Sequence, residues 1–381
     1  MSRDAEILGR EHRDDLDVIF STVTDPLEAI HAVRDHADAI FTWDYEKGAR
    51  PQLNTLYEKA KHAQWDGETD LDWSIDHDRE AHAAEVASHR AADFAARGID
   101  LKGSPLESWG LDEWTQFSLE IQNWTLSQYL HGEQGALVCT AKIVETVPWI
   151  DAKYYAATQV MDEARHVEVF AKYLDTKLDG HYPINPHLGM LLDDIITDSR
   201  WDMTYLGMQV MVEGLALAAF GFTMKATPDP LLKKLLRYVM SDEARHVAFG
   251  VLSLRELYDG LTSAELLERQ EFAFEAAVRM RDRFLQQEVW IRMGIDPRVA
   301  VPLVNGNDRS ADPFQQLLFS KIVPNCKKLG LLDANDGWLR ERFETLGVSQ
   351  FEDWVDTGEE YLELDAVSAD REAARLAAES A

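Results

Sequence analysis

Asp162-Glu163-Ala164-Arg165-His166-Val167 is a hexapeptide that occurs twice in this chain. It returns as Asp242-Glu243-Ala244-Arg245-His246-Val247, and the same offset aligns Glu133 with Glu213. In each half a single glutamate lies 30 residues before the glutamate of the hexapeptide. Self-similarity of this kind predicts two copies of one helix pair, related by a pseudo-twofold axis.

Within each copy, the Glu-x-x-His spacing places a carboxylate and an imidazole on one face of a helix. Residues three apart lie only about 60° apart around the axis and about 4.5 Å apart along it. One Glu from each of two helices, with Glu-x-x-His from each of two others, is the ligand pattern of dinuclear iron and manganese sites in helical bundles. The predicted metal ligands are Glu133, Glu163, His166, Glu213, Glu243 and His246.

The neighbours of the two single glutamates favour this interpretation over a solvated helix face. Glu133 and Glu213 both lie among apolar residues, the second within Met208–Leu217. An unpaired carboxylate in such surroundings is costly to bury, and a metal ion removes that cost. Oxygen and imidazole donors without thiolates suit iron or manganese better than structural zinc.

An aspartate precedes the glutamate in each hexapeptide. A metal-bound histidine usually donates its second N–H to a carboxylate or carbonyl. We therefore expect Asp162 to accept from His246 and Asp242 from His166, through Nδ1, with Arg165 and Arg245 neutralising the aspartates. The alternative is an ordinary surface Asp–Arg pair.

Composition excludes several classes of function. The 381 residues carry a net charge of −30, which argues against binding to nucleic acid or to an anionic membrane surface. No run of 18 uncharged apolar residues predicts a membrane span, and the acidic N-terminus lacks an apolar signal core. The two cysteines, Cys139 and Cys326, form no CxxC motif, so neither a disulfide framework nor a thiolate site is expected. We expect a cytoplasmic protein.

Helical spacing dominates the whole chain, which predicts an all-α fold. We expect an opening helical segment at about 4–45 that includes a helix start at Asp25-Pro26, then a helix at about 78–97 and a loop at 297–312. Proline breaks divide the centre into segments at about 107–147, 149–178, 187–226 and 229–259, and a capping box opens a fifth helix at Thr262. Short helices to about 346 and an acidic C-terminal helix follow. The predicted units are an N-terminal helical extension (1–106), a two-metal bundle (107–259) and a C-terminal helical extension (260–381).

The paired Asp-Glu-x-Arg-His motifs with upstream glutamates resemble the ferritin-like di-iron carboxylate superfamily. It includes ribonucleotide reductase small subunits, multicomponent monooxygenase hydroxylases, acyl-carrier-protein desaturases and arylamine N-oxygenases. The resemblance covers about residues 107–259 and implies a ferritin-like four-helix bundle. Three positions depart from these branches: Phe170 stands where reductases typically have tyrosine, Leu217 where hydroxylases usually have threonine, and Val239 where N-oxygenases add a histidine.

The resemblance implies a di-iron oxidoreductase that activates O₂ to hydroxylate, N-oxygenate or desaturate a small organic substrate. Manganese or a mixed Mn/Fe pair is the alternative cofactor, and an external electron donor is required. Residues one turn from the ligands should line a substrate pocket or form plain bundle core, and Tyr129 and Gln209 are the polar catalytic candidates among them. The alternative functions are a ferroxidase or peroxide-handling protein and a metal-dependent scaffold. Aromatic residues outside the bundle core (Trp201, Trp290, Trp338 and Trp354) suggest a homodimer.

Overall fold

The computed structural model describes residues 2–23, 30–305, 313–355, 369–371, 373 and 376, and within these ranges the chain forms helices and no strand. The helices are α1 (Arg3–Leu8), α2 (Leu16–Ile19), α3 (Pro51–His62), α4 (Arg79–Ala96), α5 (Leu111–Thr146), α6 (Ile150–Lys177), α7 (Pro186–Thr197), α8 (Trp201–Tyr205), α9 (Glu213–Ala226), α10 (Pro230–Tyr258), α11 (Ser263–Arg283), α12 (Gln287–Arg292), α13 (Pro297–Asn305), α14 (Pro313–Lys328) and α15 (Ala334–Thr345). The all-α prediction is confirmed.

The two halves of the repeat form the centre of the molecule. Helix α5 packs along α6, and α9 packs along α10. Local sequence sets the ends of these helices. Helix α6 follows Pro148, and α10 begins at Pro230. Asp229 caps α10, because its side chain accepts the N–H of Leu231 at 2.8 Å. The four helices form a ferritin-like bundle with further helices before and after it.

A π-helical segment, Leu206–Val212, joins α8 to α9 and ends directly before Glu213. The N–H of Glu213 bonds to the carbonyl of Met208, five residues back, so this turn holds one residue more than an α-turn. The segment packs closely on α10, where Gly250 leaves room for Gln209. The irregular turn therefore sets the direction in which Glu213 enters the bundle.

Several predicted boundaries are wrong. Residues 30–46 contain no helix, because backbone and side-chain bonds to the central helices replace helical ones: Ile40 donates to the carbonyl of Glu145, and Thr42 to that of Pro148. The predicted 187–226 segment is interrupted after α7, at Asp198, and resumes at Trp201 as the continuous helical stretch of α8, the π-helical segment and α9. Residues 297–305 are helical rather than a loop. The Asp25-Pro26 helix start and most of the acidic C-terminal helix lie outside the described residues.

Other predictions agree with the structure. The alanine-rich helix, the capping box of Thr262 and Glu265, and the short helices before residue 346 are all present. Helices outside the repeat complete the core: α3 packs on α6 and α10, α11 on α7, and α14 on α9. The boundaries at 106/107 and 259/260 stay a prediction.

The stretch Trp201–Ala226 is long and apolar enough to cross a membrane by length and composition. However, 78% of its most apolar window is buried inside the protein, as expected for a core helix. The tryptophans that suggested a dimer are also mostly inside: Trp290 is buried, Trp201 and Trp338 pack against the main core, and only Trp354 of the four is exposed. Their positions remove that argument for a homodimer.

We predict that Gly250→Ala lowers the free energy of unfolding by about 1–3 kcal/mol. A methyl group there would lie 2.5 Å from Cβ of Gln209, an atom that cannot move without its backbone. Urea denaturation measures the change. Gly189→Ala is the control, since its methyl group would meet nothing nearer than Ile184 at 3.8 Å and should stabilise α7 by up to about 1 kcal/mol. Equal effects in both variants would contradict the close approach of Gln209 and Gly250.

Candidate metal centre

The six predicted ligand side chains meet in the interior of the bundle. Helix α5 supplies Glu133, α6 supplies Glu163 and His166, α9 supplies Glu213, and α10 supplies Glu243 and His246. All are buried, and none is more than 5% exposed. Their donor atoms form two groups, each lying within 4.8 Å: Glu133, Glu163, His166 and Glu243, and then Glu163, Glu213, Glu243 and His246.

Two glutamates, Glu163 and Glu243, belong to both groups. Nδ1 of His166 lies 3.2 Å from Glu133 Oε2, 3.4 Å from Glu163 Oε2 and 3.1 Å from Glu243 Oε1. Nδ1 of His246 lies 3.0 Å from Glu163 Oε1 and 3.6 Å from Glu243 Oε2. Each imidazole therefore presents Nδ1 to carboxylates of both repeats.

The carboxylates are crowded enough to oppose ionisation. Burial, together with the negative charge of Glu243, raises the pKa of Glu133 to about 8. Burial, together with Glu243 and Glu163, raises the pKa of Glu213 well above its usual range. A cluster of this kind needs positive charge, whether from protons or from metal ions.

The pKa values of Glu163, His166 and His246 shift in the direction that favours the charged form of each side chain. Burial alone would raise the pKa of Glu163, but the neighbouring His246 and His166 outweigh burial and hold the pKa of that carboxyl below its usual range. Burial alone would lower the pKa of both histidines, yet the glutamates around them raise it well above the ordinary value. The charges of the cluster thus depend on one another across all four helices.

The orientation of the donors tests whether the cluster fits metal ions. Glu163 Oε2, Glu213 Oε2 and His246 Nδ1 are buried and make no hydrogen bond, although each has a possible partner close by. Buried donor atoms that lie within 4.8 Å of one another without hydrogen bonds are what ligands around a cation require. Four carboxylates and two imidazoles are the donor set of a dinuclear iron or manganese–iron site, and the cluster fits two such ions.

The aspartates of the hexapeptides pair across the repeat. Asp242 Oδ2 lies 3.2 Å from Nε2 of His166, and Asp162 Oδ2 lies 3.3 Å from Nε2 of His246. The prediction that Nδ1 would face the aspartate was wrong. In each histidine Nε2 faces the aspartate, because the position on the helix turns Nδ1 towards the glutamates. Arg165 Nη2 contacts Asp162 Oδ1 at 2.6 Å and Asp242 Oδ2 at 3.0 Å, and Arg245 pairs with Asp242.

Three side chains donate hydrogen bonds to the cluster and its aspartates, and the repeat did not predict these bonds. Trp65 donates its indole N–H to Asp242 Oδ2 at 2.8 Å, and Gln64 donates to Asp162 Oδ1 at 2.7 Å. Gln159 donates to Glu163 Oε1 and to Glu213 Oε1, both at 3.0 Å. Gln64 and Trp65 follow α3, far from the motifs in sequence, and only the packing of α3 on α6 and α10 reveals them.

The catalytic candidates have different surroundings. The Tyr129 hydroxyl is 2.8 Å from Thr223 Oγ1, and its ring packs on Phe220 and Phe170. Gln209 is fully buried, and neither polar atom of its amide has a hydrogen-bond partner. Around them the bundle is apolar, with Phe170, Leu217 and Val239 also buried. A catalytic role for Tyr129 or Gln209 stays a prediction.

Comparison with known proteins gives similarity at the level of the fold. No protein-family model matches the chain, and no curated protein does. A solved structure of an R2-like ligand-binding oxidase with a reconstituted Mn/Fe cofactor shares 18% identity over 74% of this chain and 94% of its own, with a TM-score of 0.48. Another, with a reconstituted metal cofactor after photoconversion, shares 16% over 74% and 94%, with a TM-score of 0.49. At these values the likeness carries no reaction, substrate or metal over to this chain.

We predict that the protein binds two metal ions per chain and that Glu163→Ala or Glu243→Ala abolishes stoichiometric binding, because each removes a carboxylate common to both groups. Elemental analysis after reconstitution with iron, and in parallel with manganese, measures the stoichiometry. Glu288→Ala is the control, since Glu288 is a largely buried carboxylate bonded to Trp124 and Asn185 instead. Fewer than two tightly bound ions in the unmodified protein would rule out the ligand set.

A second prediction concerns Asp242→Asn and Asp162→Asn. Each should weaken metal affinity by roughly 10- to 100-fold, since an amide neither increases imidazole basicity nor offsets positive charge. Competition with a chelator measures affinity, and circular dichroism checks the fold. Asp151→Asn is the control: Asp151 is buried but accepts backbone N–H groups of Gly48 and Arg50. Unchanged affinity in both hexapeptide variants would show that these aspartates do not act on the metal site through the imidazoles.

Proposed function

We propose that this protein is an oxidoreductase that uses two iron ions, or a mixed Mn/Fe pair, to activate O₂ and oxidise a small organic substrate by hydroxylation, N-oxygenation or desaturation. The observation that carries the proposal is the buried cluster of four carboxylates and two imidazoles, with two glutamates common to both halves. Such ions supply the electrons and the binding positions for O₂, while the protein supplies geometry and charge.

The residues of the chain divide this work. Glu133, Glu163 and His166 would hold one ion, and Glu213, Glu243 and His246 the other, with Glu163 and Glu243 able to serve both. Asp242 and Asp162 fix the orientation of the imidazoles through Nε2. Gln159 ties Glu163 to Glu213, which restrains the two carboxylates relative to each other.

The apolar residues beside the cluster would exclude water and accept an organic molecule. Phe170, Leu217 and Val239 are buried one turn from predicted ligands. The amide of Gln209, which no protein group satisfies, is proposed to bind a polar group of the substrate, and Tyr129 is proposed to line the same space. Two free, buried cysteines suit a reducing compartment, so the proposal includes a cytoplasmic location and an external electron donor.

Oxygen uptake with the iron-reconstituted protein tests the proposal. With a chemical reductant and a substrate panel, uptake should continue after the bound iron has been oxidised, and label from ¹⁸O₂ should enter a hydroxylated or N-oxygenated product. Desaturation would give a product two mass units lighter. Glu163→Ala should show neither uptake nor product. Uptake that stops unless Fe(II) is added would support a ferroxidase, and no uptake at all would support a scaffold.

A further inference from the structure

Arg283 lies in the last turn of α11 and is only 4% exposed. Its Nε atom is fully buried and has no hydrogen-bond partner. No carboxylate of the described residues pairs with it, and among those residues the phenol of Tyr129 is the group that opposes the effect of burial on its pKa. A buried guanidinium without a counter-charge is costly to the folded protein.

The other buried arginines of the described chain show that this arrangement is exceptional. Each has a carboxylate within ion-pair distance: Arg165 with Asp162 at 2.6 Å, Arg269 with Asp202 at 2.9 Å, Arg281 with Asp282 at 2.7 Å, and Arg245 with Asp242. Arg281 is two residues before Arg283 on the same helix. The fold therefore supplies partners for buried arginines elsewhere and leaves Arg283 without one.

The surroundings of Arg283 are aromatic. Its guanidinium lies 4.6 Å from the centre of the Phe284 ring, and Phe284 in turn packs edge-on against Trp124 of α5. Five residues further along α5 is Tyr129, which packs with Phe170 and Phe220. Burial lowers the pKa of Arg283 to about 10, so the side chain remains charged at neutral pH.

Helix α5 connects the surroundings of this cation, through the contact of Phe284 with Trp124, to the predicted ligand Glu133. Tyr129, which is near enough to affect Arg283 electrostatically, precedes Glu133 by four residues, or about 6 Å along the helix axis. A molecule that contacts both the guanidinium and the metal centre would therefore have to span the part of α5 that carries Trp124 and Tyr129.

We propose that Arg283 binds the carboxylate of the molecule that the metal centre oxidises, so that the substrate is a small organic monocarboxylic acid. The planar guanidinium can form bidentate hydrogen bonds with a carboxylate and neutralises its single charge. A phosphate monoester carries up to two negative charges, so one guanidinium would neutralise only half of them. That this molecule is a substrate rests on the proposed function, but carboxylate binding at Arg283 does not depend on metal.

Isothermal titration of the full-length protein, both metal-free and iron-loaded, tests this with benzoate and octanoate as probes. Benzamide and octanamide are the neutral controls, and phenyl phosphate tests for a general anion site. The carboxylates should bind both forms of the protein and the amides should not. Arg283→Met should weaken carboxylate binding by about 30-fold or more. Arg279→Met, on the same helix but paired with Asp194 and Glu275, should bind like the unmodified protein.

Unfolding of the ligand-free variants gives a second readout. Arg283→Met should raise the urea midpoint, because it removes an unpaired buried charge, and added benzoate should stabilise only proteins that keep Arg283. Amides that bind as well as carboxylates, a stronger phenyl phosphate complex, unchanged carboxylate affinity in Arg283→Met, or a lower midpoint in that variant would each overturn the proposal.

The outcomes separate this inference from the proposed function. A protein that holds two metals and consumes O₂ with substrate, yet binds no carboxylate, would refute the role of Arg283 alone. A protein that binds carboxylates through Arg283 but holds no metals would refute the oxidoreductase and keep the anion site.

Discussion

Four carboxylates and two imidazoles buried between four helices are the constraint on which this structure depends. Burial and mutual repulsion raise the pKa of Glu133 and Glu213, while the histidines are drawn towards their charged forms. An apolar bundle does not hold such a cluster without compensating positive charge. The length of α5, α6 and α10, and the packing of α3 and α14 around them, keep the donors dry and close together.

The side chains around the cluster alternate in charge: glutamates contact histidines, histidines contact aspartates, and aspartates contact arginines. The imidazoles contact glutamates through Nδ1 and aspartates through Nε2, and the aspartates contact Arg165, Arg245, Gln64 and Trp65. The aspartates thus hold Nε2 of both imidazoles, and the arginines, Gln64 and Trp65 hold the aspartates, as in a stable buried polar network. Two polar groups of the described residues lie outside this network: the amide of Gln209 and Nε of Arg283 are buried without a hydrogen bond.

The sequence repeat is more symmetric than the site that it builds. Glu133 lies on an unbroken α-helix, whereas its counterpart Glu213 follows a π-helical turn. Gln159 holds Glu213 and Glu163 together, while Glu133 contacts His166 directly. The two metal positions are therefore unequal, even though the same residue types surround both.

The sequence by itself determined the all-α fold, the helix pairing and the six donors, because helical periodicity and two matched Glu-x-x-His motifs are local patterns that repeat. It did not reveal the break at Asp198, the π-helical turn, the extended course of residues 30–46 or the nitrogen that faces each aspartate. Those depend on how side chains far apart in sequence fit against one another. Only the tertiary structure brought Trp65 to Asp242, or showed that Arg283 pairs with no carboxylate of the described residues, since burial and pairing are decided by packing between helices.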